Sequence, residues 1–153
     1  VEKWIGRKNN FINHKSYFML QNLLSPFTFA QAATSLFLAI LFLQSGFDKV
    51  LNFADNLSWL QTHFAKTFLR RFVQLMLVTI TLVELIAGAL AAAGAGQIVL
   101  NGSKTLALYG GQVATVSVLL LFFGQRVAKD YAGAAALVPY FALCVAAVLM
   151  LSL

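Results

Sequence analysis

Glu84 stands in the stretch "ITLVELIAG" at residues 80–88, inside an apolar run long enough to cross a bilayer. A charged side chain near a membrane centre costs about 2.5 to 3.5 kcal/mol on insertion scales, so it calls for a partner or a purpose. Helical spacing puts Thr81, Gly88, Ala91 and Ala92 on its side, and a face of small residues turns toward neighbouring helices. Counting depth from Gly94 back to Glu84, and forward from Thr105 along the next antiparallel run, brings Gln112 and Thr115 level with the carboxyl. Tyr109 lies one turn from Gln112. No cation falls in that layer, because Lys104 and Arg126 belong to run ends. Glu84 is therefore expected as a neutral acid, hydrogen-bonded to Gln112 or Thr115. Two roles suit such a group. It is a proton relay or a polar anchor for a quinone or lipid head group, in a pocket of Glu84, Tyr109, Gln112 and Thr115. Otherwise it is an interhelical hydrogen bond that fixes helix register.

A second constellation gathers where the first and third runs end at one membrane face. Gln44 and Asp48 are one turn apart, with Lys49 beside them, while Gln125, Arg126, Lys129, Asp130 and Tyr131 arrive from the other run. The expected ion pairs are Asp48 with Arg126 and Lys49 with Asp130. Such a network closes the end of a bundle or receives an anionic head group or a partner protein. Metal chemistry finds no footing. His14 and His63 lie in different connections without Cys or acid at ligand spacing, and no run contains a His for haem. The single cysteine, Cys144, allows neither an internal disulfide nor a thiol pair. No cofactor held covalently or through metal ligands is expected, which leaves room for a quinone alone, and no catalytic motif is visible.

The elements that must position these groups follow from composition. Of 153 residues, 60% are hydrophobic and 10% charged, with mean hydropathy +0.81. Soluble domains are roughly half apolar and about a quarter charged. Four apolar runs, near residues 26–47, 72–94, 105–124 and 133–153, each suffice to cross a hydrocarbon core. The first is too long for a signal-peptide core and is expected to be retained. Between the first two runs, Phe53, Leu57, Leu60, Phe64 and Phe68 recur at helical spacing, as in a helix lying at the interface or capping the bundle. The expected fold is all-α, a four-helix transmembrane bundle with an interfacial amphipathic helix between spans one and two. Residues 1–25 form a basic and aromatic interfacial tail, and residues 26–153 the membrane domain. Asn101-Gly102 marks a turn, and Gly110-Gly111 a close helix contact. The net charge of +6 sits at span ends, which favours anionic head groups as neighbours and not nucleic acid. The tail's basic residues favour cytoplasmic termini.

Two stretches, "LFLQSGFDKVLNF" at residues 41–53 and "FFGQRVAKDYAGAAALVPYF" at residues 122–141, are similar to the DoxX family of small bacterial four-span membrane proteins. The likeness includes the SG-x-x-K pattern of Ser45, Gly46 and Lys49 and runs from about Leu36 to the C-terminus. It implies a multi-pass protein of the bacterial inner membrane. Family members include a small subunit of a quinone-linked sulfur-oxidising enzyme, so the resemblance implies an accessory subunit of a larger, respiratory or redox-linked membrane complex. Other membrane subunits and lipids are the partners it implies. The alternative is a stand-alone quinone- or lipid-binding protein that uses the pocket around Glu84.

Overall fold

The computed structural model describes residues 25–153. Nearly all of the tail expected at residues 1–25 lies outside the described residues. Pro26 opens the first helix at the position where its missing N–H is no loss. Ser25 precedes it with extended backbone but makes no capping bond through its side chain. Helix α1 (Pro26–Leu51) gives way at Asn52 to α2 (Phe53–His63). A 3-10 turn (Phe68–Phe72) then leads into α3 (Val73–Asn101), followed by α4 (Thr105–Val127) and α5 (Tyr131–Ser152).

Four of these helices are long and apolar enough to cross a membrane: α1, α3 with its leading turn, α4 and α5. Among the described residues there is no strand. The outward faces carry Leu36, Phe37, Ile40, Leu82, Ile86 and Leu149, all exposed. In water such a surface would aggregate, whereas hydrocarbon covers it without cost. The fold is an all-α four-helix bundle, and the chain is a multi-pass integral membrane protein.

Helix α3 is the central member, packed along α1 on one side and α4 on the other, while α5 leans on α4. Small residues set the spacing. A Cβ on Gly110 would come within 2.6 Å of the Ala91 backbone nitrogen, and one on Gly94 would overlap the Ala107 backbone more closely still. Toward α1, Gly88 meets Leu43 and Gly46 meets Leu85. At the far end, Gln31 Nε2 donates to the Met150 carbonyl at 2.8 Å and ties α1 to α5. The expected small-residue stripe therefore divides between two neighbours. Gly88 serves α1, Ala91 serves α4, and Ala92 is exposed.

The stretch "GAGQIVLN" at residues 94–101 does not leave the second span, whose apolar run was expected to end near Gly94. Helix α3 continues to Asn101 because the Gly94 backbone is wanted against α4. The stop comes at Gly102, whose φ of 74° gives a left-handed cap with its N–H on the Ile98 carbonyl at 3.1 Å. Between α4 and α5 the cap is acidic: Asp130 Oδ1 accepts from the Gly133 N–H at 2.8 Å. Asp130→Ala is expected to cost about 1 kcal/mol. A lower unfolding midpoint in detergent for the Ala variant, with Asp130→Asn close to wild type, is the result to look for.

Candidate functional site

Helix register decides what Glu84 meets. The contacts Gly94–Ala107 and Gly110–Ala91 set α3 against α4, and the same offset places Ser117 level with Glu84. Thr115 instead donates to the Gly111 carbonyl of its own helix at 2.8 Å. Tyr109 and Gln112 are exposed on the outer face of α4. The expected pocket of Glu84, Tyr109, Gln112 and Thr115 is thus not assembled. The error traces to the span end. With α3 running to Asn101, Glu84 is about 25 Å from that helix end at helical rise, well beyond the depth counted from Gly94.

What Glu84 does meet is Lys49 of α1. The Lys49 Nζ lies 2.8 Å from Glu84 Oε2, and Ser45 Oγ donates to Oε1 at 3.1 Å. Lys49 Nζ also donates to Ser45 Oγ at 2.7 Å, so three side chains close a ring of charge and hydrogen bonding. The Oε2 approach is a charge contact and not an aligned hydrogen bond. Glu84 is 1% exposed and the Lys49 side chain 18%, so the cation reaches inward from the end of its helix. The expectation of a carboxyl without a cation is overturned here. Ser45 and Lys49 stand one turn apart on the face of α1 that α3 covers, brought together by the Gly46 and Gly88 contacts. Ser117 Oγ, wholly buried at the same level, has no hydrogen-bond partner among the described residues.

The membrane-face group is arranged differently from its expected pairs. Neither Asp48–Arg126 nor Lys49–Asp130 forms among the described residues, because Lys49 is engaged by Glu84. Asp48 accepts from Asn52 Nδ2 at 2.8 Å, and Asp130 is occupied as the α5 cap. Arg126 lies over the Tyr131 ring, 4.7 Å from its centroid. Gln44 and Lys129 are exposed, Lys129 in a left-handed conformation at φ 62°. Gln125 pairs instead with His63 of α2, Nε2 to Oε1 at 2.8 Å.

That pair docks α2 on the bundle. Trp59 stacks on His63 at 4.7 Å between centroids, and Phe64, just past the helix, is 4% exposed. The apolar stripe read from Phe53 to Phe68 holds as far as Phe64. Phe68 leaves it, 72% exposed in the 3-10 turn. Beneath α2 lies a cavity of about 320 Å³ walled by α3 and α4. His63 was the residue that sequence reasoning passed over, having been weighed only as a metal ligand. The signal that could have found it is its place one turn after Trp59 on the segment that covers the bundle end. Among the described residues no group of His, Cys, Asp and Glu is placed to hold a metal.

Among the described residues, the fold and this chemistry define a class: a four-span membrane bundle with one ion pair reaching into its interior and a capped, apolar end. No protein family model, curated protein or solved structure matches the chain.

Proposed function

We propose that the protein is an accessory subunit of a larger membrane complex, and that the outer face of α4 is covered there by another membrane helix. Gln112 carries this reading. It lies about 10 Å along α4 from Thr105, within the hydrocarbon layer, with its side chain on the exposed face. Lipid chains offer an amide no hydrogen bond, whereas a neighbouring helix does. Tyr109, one turn away and 51% exposed, extends the same face. Glu84 supports the reading from the other side, since both of its oxygens are engaged within the bundle. That arrangement suits a register-fixing contact better than a proton relay, and it leaves the quinone pocket around Glu84 without its other members.

A respiratory or redox-linked complex of the bacterial inner membrane, cytoplasmic termini and kinship with the DoxX family belong to the same proposal. They rest on the motifs at residues 41–53 and 122–141 and on the basic tail. Gln112→Leu is expected to loosen a stoichiometric partner during gentle extraction while leaving the isolated bundle as stable as before. Leu36→Phe, on the exposed face of α1, serves as the control. Retention of the same subunits by wild type and Gln112→Leu, or purification of the wild type without any, would sink the proposal.

A further inference from the structure

The cavity under α2 lies at the end of the bundle where the 3-10 turn leads into α3, an end that the basic residues at positions 66, 70 and 71 set at head-group depth. Its wall is apolar, with Phe64, Met76, Ile80 and Leu121 as examples, and its polar lining is limited to Thr79, His63 and Gln125. The lining also takes in Leu69 and Val73, the residues that bracket Arg70 and Arg71. Both arginines are exposed, as is Lys66 a turn earlier. No acidic residue occurs in the chain between Asp55 and Glu84, and Glu84 already holds Lys49. Among the described residues the rim is therefore cationic without a local counter-charge, above a space that water has little reason to fill.

Those two properties select one kind of molecule. An apolar cavity of this size takes hydrocarbon, and it falls at the small end of ligand sites. Cationic side chains at head-group depth attract phosphate, and arginine binds it through paired N–H groups. With His63 donating through Nε2 to Gln125 Oε1, the Gln125 amide N–H groups are left as donors beside the cavity, matched to an ester carbonyl. We propose that the cavity seats one acyl chain of an anionic phospholipid, with its phosphate held by Arg70 and Arg71 and supported by Lys66.

The test uses the full chain purified in mild detergent, delipidated and then presented with phosphatidylglycerol or phosphatidylcholine of matched chains. Bound lipid is counted by native mass spectrometry. Phosphatidylglycerol is expected to bind the wild type one to one and to be preferred. Arg70→Gln with Arg71→Gln, both on the exposed rim, should cut that preference by roughly thirtyfold while sparing the fold. Gly124→Leu, which fills the cavity from α4 where a Cβ already meets Phe64 at 3.4 Å, should reduce binding of both lipids. Glycerol phosphate, which has the head but no chain, should fail to compete. Equal binding of the two lipids by the wild type, an unchanged preference in the double variant, or full competition by glycerol phosphate would overturn the proposal. So would preferential binding of a neutral quinone.

Discussion

Lys49→Met is expected to lose about 3 to 5 kcal/mol of stability, because it leaves the Glu84 carboxylate buried without its cation. Glu84→Leu should lose less, since Lys49 lies near the end of α1 and its long stem can swing to the head groups. The double variant, Lys49→Met with Glu84→Leu, should recover most of the loss, because two apolar groups then meet where two charges met. Reversible unfolding in detergent micelles gives the four stabilities of the cycle. A coupling between the two sites near zero would mean that the pair contributes nothing to the fold. Ser45→Ala is the graded case. It removes one donor to Oε1 and one acceptor from Lys49 and leaves the charge pair in place.

The second large effect belongs to the α3–α4 seam. Gly94→Leu is expected to cost about 3 kcal/mol or more, since overpacking a fitted interior costs 1 to 3 even where side chains can yield. Here they cannot. The added Cβ meets the Ala107 backbone, so trimming Ala107 to Gly relieves only part of the clash. Gly110→Leu should behave alike, against the backbone of Ala91. Gly96, two residues from Gly94, has nothing within 4 Å of the place a Cβ would take. Gly96→Ala is thus expected to be neutral or to gain up to about 1 kcal/mol from helix propensity. If all three substitutions act alike in the same unfolding assay, helix approach is not what these glycines serve.

These residues also show what could be read from sequence. Run length and the near-absence of charge within the runs, Glu84 apart, made four helices and their membrane setting plain, because hydrocarbon permits few alternatives to a helix. The amphipathic stripe from Phe53 to Phe64 identified α2, and Gly110-Gly111 announced a close contact that the backbone of Ala91 and the side chain of Val148 confirm. Partner identity was another matter. Glu84 was matched to Gln112 and Thr115 by counting from a presumed helix end at Gly94, whereas the helix runs to Asn101 and the residue level with Glu84 is Ser117, two to five residues further along α4. Glycine reads as a breaker when only the local chain is seen, but at Gly94 tertiary approach outweighs local preference. Lys49 was assigned to the membrane-face network, with Asp130 as its expected partner. Its pattern with Ser45 at one-turn spacing was visible, yet only the covering helix α3 turns that pattern inward.

The ion pair joins α1 to α3 and skips α2, which gives the protein a schedule as well as a shape. Lys49 is synthesised 35 residues before Glu84. At 5 to 20 residues per second, the lysine emerges roughly two to seven seconds ahead of its counter-charge. Its place two residues from the end of α1 lets it spend that time among lipid phosphates. When α3 enters, the carboxylate is expected to draw the ammonium inward, joining the first hairpin before α4 follows it into the bilayer. Moving the same lysine two turns deeper would give an identical pair in the finished protein and a first helix that the insertion machinery would find much harder to release.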